Sequence, residues 1–171
     1  RDIWPWPCDL TLSRHAVRGL HVMVAGSISP WLEAIAISRG AASVSTVDYI
    51  AATTTSPRLK IFTMADLYKQ RGKLKFDAIL SYSSIEHDGL GRYGDPINPF
   101  GDVAALGEFA LMLKPGGLLF LGIPVSRRGS AMQGQRFYDS HRFHILTRGW
   151  DLLATHSPIP SCICGNLPEH V

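Results

Sequence analysis

The chain has 171 residues, of which 46% are hydrophobic and 18% are charged, a balance typical of one well-packed globular domain and not of a disordered segment. Its net charge of +3 is small, and its lysines and arginines form no basic run or helical stripe, so we predict no nucleic-acid partner. No apolar stretch reaches the ~18–20 residues that cross a bilayer, and we predict no membrane span.

The ends of the chain differ from its middle. Residues 1–20 hold two Trp-Pro pairs, which predict an extended segment in which Trp4 and Trp6 pack against the domain. Residues 21–156 are predicted to fold as the domain itself, and residues 157–171 as a truncated tail. Because the sequence opens on an arginine, we expect the parent chain to be longer.

The cysteines and histidines offer little metal chemistry. Three cysteines are too few for a disulfide framework, which favours a reducing, cytoplasmic compartment. Cys162 and Cys164 form a C-x-C pair near two histidines, but that spacing is a weak zinc signal. His141 and His144 have no carboxylate close by in sequence, which favours a structural role. We therefore predict no metal site.

Strand and helix patterns alternate along the middle of the chain. Short apolar runs predict six strands, at residues 21–26, 43–49, 60–66, 76–83, 118–125 and 150–156. A helix is predicted to begin at Ser29-Pro30, another to be capped by Asp102 and to end at Lys114–Gly117, and residues 126–144 to form a basic loop. Such alternation predicts a doubly wound α/β fold. We expect a mostly parallel sheet of six or seven strands, covered by helices on both faces, with residues 21–26 and 76–83 adjacent at its centre.

Glycine and acidic residues stand where the predicted strands end. Gly26 ends the first strand, Asp48 follows 22 residues later at the end of the second, and Asp66 ends the third. In nucleoside sites, such a glycine lets the backbone approach the ligand, and such a carboxylate binds ribose hydroxyls. The turn holds only one glycine, so an ordinary strand-to-helix turn with a solvent-facing Asp48 is the alternative.

The loop after the fourth strand reads SSIEHDGLGRYGDP and is dense in Glu, His, Asp, Arg and Tyr. Open α/β sheets bind their ligands at this edge, which predicts a site here. Imidazole titrates near neutral pH, so His87 is a candidate general base, unless Glu86 and His87 only hold the loop by hydrogen bonds. Arg92 and Tyr93, between glycines, either grip a substrate or lock the loop.

Arg127 and Arg128 follow the fifth predicted strand and reach the same edge of the sheet. Together they favour an acidic acceptor, although each alone is more typical of solvated surface.

Four segments together resemble the class I S-adenosylmethionine-dependent methyltransferases: VAG at 24–26, VDY at 47–49, FDAILSYSSIEH at 76–87 and LKPGGLLFLGIPV at 113–125. More narrowly, SSIEHDGLGRYGDPINP resembles a domain-of-unknown-function branch of that superfamily that is well represented in nematodes. The resemblance covers nearly the whole chain and implies a Rossmann-like methyltransferase fold.

The resemblance also implies S-adenosylmethionine as the cofactor. The implied contacts are Gly26 and Ser27 at its methionine end, Asp48 at the ribose, Asp66 by the adenine, and Ser83, Ser84, Glu86 and His87 beneath the sulfonium. Methyl transfer to a small-molecule or glycan-type acceptor follows, with His87 and Glu86 as catalytic residues. Arg92, Tyr93 and Arg127 would bind the acceptor.

Two other functions stay open. A non-catalytic methyltransferase-like interaction module is favoured by the single glycine of the first turn, where the superfamily shows G-x-G, and disfavoured by the charged loop. A nicotinamide-dependent oxidoreductase ranks last, because the sequence lacks G-x-G-x-x-G and a Tyr-x-x-x-Lys pair. The sequence leaves the acceptor and the oligomeric state open.

Overall fold

The computed structural model describes residues 17–49, 52–70 and 72–154. Trp4, Trp6, Cys162, Cys164 and the histidines near that cysteine pair lie outside the described residues. In chain order the elements are β1 (His21–Ala25), α1 (Trp31–Ser38), β2 (Ser43–Asp48), β3 (Leu59–Thr63), α2 (Met64–Lys69), β4 (Phe76–Tyr82), a 3-10 helix (Ile85–His87), α3 (Gly101–Met112), β5 (Leu113–Gly122), β6 (Ser130–Met132), β7 (Gln135–Phe137) and α4 (Ser140–Leu146).

Five strands form a parallel sheet in the order β3-β2-β1-β4-β5. Val22 of β1 pairs with Val44 of β2 on one side and with Ala78 of β4 on the other. The predicted adjacency of β1 and β4 at the centre of a parallel α/β sheet is therefore confirmed. The carboxyl ends of β1, β2 and β4 consequently meet at one edge.

Both faces of the sheet are buried, as the continuous apolar runs predict. Val22 and Val24 pack with Leu32 of α1 in one core cluster. Met23 of the same strand points the other way and packs with Leu106 of α3 in a second cluster. This alternation follows from the two-residue period of a strand, and it places helices on both faces.

The number of strands in the sheet differs from the prediction. In the described part of the chain the sheet has five strands, and residues 150–154, predicted as the start of a sixth, form none. Leu153 is 78% exposed and Leu152 is 39% exposed, so this apolar run is not covered by helices as a central strand must be. The rest of the predicted strand, residues 155–156, lies outside the described residues.

The predicted basic loop at residues 126–144 contains regular structure instead. β6 and β7 pair antiparallel as a short hairpin, and α4 follows, capped by the Asp139 side chain accepting from Arg142 N at 2.8 Å. The turn of the hairpin is Gln133–Gly134, with both residues at positive φ. The prediction of a loop was wrong because the strands are only three residues long and carry no clear apolar alternation.

The end of β3 and the beginning of α3 also differ from the prediction. β3 ends at Thr63, because Thr63 and Asp66 form a capping box that begins α2. The prediction that Asp66 ends a strand was therefore wrong. Asp102 does not cap α3: Phe100 is the N-cap residue, and Asp102 is fully buried in the first turn. α3 ends at Met112, before Lys114–Gly117, as predicted, but these four residues belong to β5, which runs from Leu113 to Gly122 and not over residues 118–125.

Near the amino end, Val17 belongs to the predicted extended segment but is fully buried in the core. No helix of the described residues has the length and apolar character needed to cross a membrane.

Candidate functional site

A cavity of about 810 Å³ opens at the carboxyl edge of the sheet, where β1, β2 and β4 end. Gly26, Ser27, Asp48, Ser83 and Ser84, all predicted as cofactor contacts, line it. Its volume lies in the range of small-molecule sites, and its position is the one that open α/β sheets use for ligands.

The turn after β1 is tied to the end of β2. Ser27 N donates to Asp48 Oδ2 at 2.8 Å, and Gly26 N donates to the Val47 carbonyl at 2.9 Å. Gly26 has a φ of +71°, and a Cβ there would collide with the Ser84 side chain. Glycine is therefore required at this position both by the backbone and by the close approach of the β4 loop.

Glu33 of α1 supports this turn from behind and was missed in the sequence. Its carboxylate is 1% exposed and accepts from Thr46 Oγ1 at 2.6 Å and from Ser27 Oγ at 3.0 Å. A lone acidic residue in an otherwise apolar helical stretch was the available signal. The buried carboxylate fixes the turn against β2 through both hydroxyl groups.

Ser83 begins the loop that leaves β4. It is a non-glycine residue at a φ of +48°, and its hydroxyl donates to Glu86 Oε1 at 2.7 Å. Its amide donates to the Gly122 carbonyl at 2.9 Å. Hydrogen bonds from its side chain and from its backbone thus hold Ser83 in an unfavourable backbone conformation.

His87 lines the cavity, and Glu86 lies behind it, fully buried. His87 Nδ1 lies 2.7 Å from the Gly134 carbonyl of the hairpin turn, which requires a proton on Nδ1 because a carbonyl only accepts. Nε2 faces Glu86 Oε1 at 3.7 Å. Glu86 Oε2 makes no hydrogen bond to any described residue.

Arg92 is exposed and does not line the cavity, but it packs on residues that do. Its guanidinium lies 5.7 Å from the Tyr93 ring centroid, and Nη1 lies 3.4 Å from His87 Nδ1. Since the shorter bond to Gly134 places the proton on Nδ1, this longer contact joins two donors and is not a hydrogen bond.

Tyr49 and Tyr93 form an aromatic wall at the cavity. Their rings stack with centroids 6.2 Å apart, and the His87 ring meets Tyr93 edge-on at 5.7 Å. Tyr49 OH lies 3.4 Å from Asp88 Oδ1. Burial and the Asp88 carboxylate raise the pKa of Tyr49, so its hydroxyl stays protonated.

Asp95 folds the loop onto itself. Its Oδ2 accepts from Gly89 N at 2.6 Å and from Gly91 N at 3.3 Å, and its Oδ1 accepts from Tyr93 N at 3.2 Å. Burial acts to raise the pKa of Asp95, but these backbone hydrogen bonds outweigh it and hold the pKa below its usual value. The carboxylate is ionised and committed to the loop.

Arg136 of β7 fixes both ends of the same loop from the side away from solvent. It is 6% exposed. Nη1 donates to the carbonyls of Asp88 at 2.6 Å and Glu86 at 3.4 Å, and Nη2 donates to those of Asn98 at 3.1 Å and Pro99 at 3.3 Å. Nothing in the sequence pattern singled out this residue, because its partners lie about forty to fifty positions away.

Asp102 is the anionic partner of Arg136 and Arg142. Arg142 Nη2 lies 2.5 Å from Asp102 Oδ1, and Arg136 Nε lies 3.8 Å from Oδ2. Tyr138 OH donates to Oδ2 at 3.1 Å. Burial and Asp102 raise the pKa of Tyr138, so the hydroxyl remains a donor. The network joins α3, β7 and α4 behind the loop.

Besides Glu86 and Arg92, two further predicted site residues do not line the cavity. Asp66 does not line it; its Oδ2 accepts from Thr63 Oγ1 at 2.7 Å within the capping box, and this bond lowers the pKa of Asp66. Arg127 is exposed beyond β5. His141 and His144 are also exposed, on α4, and no group of three His, Cys, Asp or Glu among the described residues is arranged to hold a metal ion.

The titratable lining is acidic. Its carboxylates are those of Asp48, Asp88, Asp95 and Glu108, and no lysine or arginine lines the cavity among the described residues. An acidic wall with aromatic rings favours a neutral or cationic ligand over a phosphate.

A family model described as "Caenorhabditis protein of unknown function, DUF268" matches residues 19–161. The chain belongs to this family. The predicted membership in a domain-of-unknown-function branch known from nematodes is thereby confirmed. A search of curated proteins found no match to the DUF268 chain.

Among solved structures, the DUF268 chain is similar to the Burkholderia thailandensis 1,6-didemethyltoxoflavin-N1-methyltransferase with bound 1,6-didemethyltoxoflavin and S-adenosylhomocysteine. The TM-score is 0.61 and the sequence identity 19%. The match covers 84% of the DUF268 chain and 64% of the bacterial enzyme, so the chain spans somewhat less than two thirds of that protein. The predicted Rossmann-like methyltransferase fold is confirmed.

Proposed function

We propose that this chain binds S-adenosylmethionine in the cavity and transfers its methyl group to a small-molecule or glycan-type acceptor. The observation that carries the proposal is the joined turn at the sheet edge, where Ser27 N is bonded to Asp48 and Gly26 lies against Ser84. A glycine turn beside a strand-end carboxylate suits a nucleoside with free hydroxyls. The similar bacterial structure, which holds S-adenosylhomocysteine, supports the same ligand class.

The charge of the cavity supports a sulfonium over a dinucleotide. A nicotinamide cofactor carries a pyrophosphate, which needs cationic side chains or a glycine-rich helix end. The described lining offers carboxylates and tyrosine rings instead. Those groups fit a ligand with a positive charge at its centre.

With S-adenosylmethionine in the cavity, the lining residues at the strand ends would each contact one part of it. Gly26 and Ser27 would hold the methionine end, Asp48 the ribose, and Ser83 and Ser84 the floor of the site. The cofactor would supply an activated methyl group. Methyl transfer is an in-line displacement, so the main task of the protein is to align a nucleophile with that methyl group.

Replacing Asp48 by alanine tests the cofactor assignment. Loss of a hydrogen bond to a charged group costs about 1–3 kcal/mol, so S-adenosylhomocysteine should bind about 5–150-fold more weakly. Isothermal titration calorimetry of the purified chain measures this. Absence of binding by the wild-type chain at millimolar ligand would favour the interaction module, which the single glycine of the turn also favours.

Asp66→Ala is the matched control, since it removes a carboxylate that sequence reasoning assigned to the same ligand. Its carboxylate caps α2 and does not line the cavity. We expect a modest fall in melting temperature and an unchanged affinity for S-adenosylhomocysteine. A loss of affinity equal to that of Asp48→Ala would contradict the placement of the ligand.

A further inference from the structure

Methylation of an oxygen or nitrogen that carries a hydrogen also requires a group that takes up the proton. Three of the four lining carboxylates (Asp48, Asp88 and Asp95) and the His87 imidazole come from the end of β2 and the loop after β4, whereas the fourth carboxylate, Glu108, lies on α3. Which of them has a free acceptor atom can be decided from their existing bonds.

His87 has one ring nitrogen in a hydrogen bond and the other beside a buried carboxylate. Nδ1 bears the proton that it donates to Gly134, and Nε2 lies 3.7 Å from Glu86 Oε1, which is too far for a hydrogen bond. Nε2, the nitrogen that carries the lone pair, is therefore on the side of Glu86, and the ring meets Tyr93 at a right angle. Glu86 is fully buried and does not line the cavity. The two residues singled out in the sequence as catalytic are occupied with holding the loop.

The other carboxylates are bound to backbone amides. Asp95 accepts three amide hydrogens of its own loop. Asp48 accepts the amide hydrogen of Ser27. Each is needed to keep its turn in place, and protonating either would break those bonds.

Asp88 differs from both. Its backbone carbonyl is fixed by Arg136 at 2.6 Å, while its carboxylate, in the cavity wall, makes one long contact to a described residue, 3.4 Å to Tyr49 OH. The backbone is therefore rigidly positioned, and the carboxylate is open to a ligand. We propose that Asp88 is the proton acceptor for the methyl acceptor, with the Tyr49 and Tyr93 rings as the wall against which that acceptor lies.

The inference rests on the proposed function. In the step it describes, the acceptor's O–H or N–H bond breaks and its electron pair forms the new bond to the methyl carbon. The methyl–sulfur bond breaks with its electrons remaining on sulfur, so the sulfonium becomes a neutral thioether. The proton passes to a carboxylate oxygen of Asp88, which returns it to solvent through the open cavity.

The electrostatics of the wall agree with this role. Burial, followed by the charge of Asp95, raises the pKa of Asp88 to about 7, and Asp102 acts in the same direction. The hydrogen bond from Tyr49 and the charge of Arg136 lower it in part. A carboxyl group that titrates near neutral pH is suited to taking a proton and releasing it again.

Sinefungin tests the inference without a known acceptor. In this analogue of S-adenosylmethionine, an amine-bearing carbon replaces the methylated sulfur, so an ammonium group lies where the methyl group would be. If Asp88 faces that position, sinefungin should bind more tightly than S-adenosylhomocysteine at pH 8, on the order of tenfold, the scale of a charged hydrogen bond. Below pH 7, where Asp88 gains a proton, the preference should shrink. At pH 7, binding should release up to about half a proton, read from calorimetry in two buffers of different ionisation enthalpy.

Three isosteric or conservative variants complete the test. Asp88→Asn should lose the preference, its pH dependence and the proton release, with binding of S-adenosylhomocysteine and the melting temperature preserved. Asp151→Asn, on an exposed residue away from the cavity, is the control and should behave as wild type. His87→Gln should keep the preference and its pH step.

Two results would overturn the inference. One is a preference and a proton release that persist in Asp88→Asn; the other is their loss in His87→Gln, which would identify the imidazole as the group beside the methyl position. Either can occur while both ligands still bind, so the proposed function would survive. Failure of both ligands to bind the wild-type chain would instead remove the proposed function and this inference with it.

Discussion

Replacing Asp102 by alanine is expected to lower the free energy of unfolding by about 3–5 kcal/mol, the cost of removing one member of a buried ion pair. The carboxylate is fully buried and is bonded to Arg142 and Tyr138, with Arg136 at 3.8 Å. Without it, the Arg136 guanidinium remains in the interior with only neutral carbonyl partners. For a chain of this size the melting temperature should fall by roughly 6–20 °C.

Lys114→Met supplies the matched comparison. It breaks the ion pair with Asp77, whose 2.7 Å separation is as short but whose lysine is 41% exposed. Exposed pairs contribute at most about 1 kcal/mol, so its melting temperature should stay within a few degrees of wild type. Equal losses in the two variants, measured by thermal denaturation, would show that burial does not set the importance of Asp102.

Gly26→Ala is expected to leave no measurable binding of S-adenosylhomocysteine at millimolar ligand. The new methyl group would collide with the Ser84 side chain and push apart the turns after β1 and β4, both of which line the cavity. A φ of +71° adds about 1–2 kcal/mol of backbone strain for any residue with a Cβ. Calorimetry measures the binding, and circular dichroism checks that the variant is folded.

Gly116→Ala separates these two causes. Gly116 has nearly the same φ, +73°, but a Cβ there would meet no atom within 4 Å, and the residue does not line the cavity. It should lose a similar amount of stability from strain alone and keep full affinity. If Gly116→Ala lost binding as well, the effect of Gly26→Ala would have to be assigned to general destabilisation.

The sheet was predictable because its strands carry their own signals. β1 and β4 are apolar on both faces, and residues with that property must be covered on both sides. The hairpin of β6 and β7 was not predictable, since three-residue strands leave no periodicity to detect. Leu152 and Leu153 misled the prediction of a sixth strand, because hydrophobic composition alone does not say whether a segment is covered.

Some residues of the candidate site could likewise be predicted from the sequence, and others could not. Gly26 and Asp48 were identified because strand ends can be located in a sequence, and parallel strands bring their ends together. Asp66 was misplaced because it stands three residues beyond Thr63, which both ends β3 and caps α2. The pairing of Arg136 with Asp102 could not be found, because the two residues are distant in sequence and meet only once the hairpin is docked.

The two pairs of carbonyls that Arg136 binds determine how the loop between them opens. One guanidinium binds the carbonyls of residues 86 and 88 through Nη1 and those of residues 98 and 99 through Nη2, so movement of either end leaves part of a buried cation without its acceptors. Amides within the loop, such as those of Gly89 and Asn98, should therefore exchange with deuterium through one shared opening and with one common free energy.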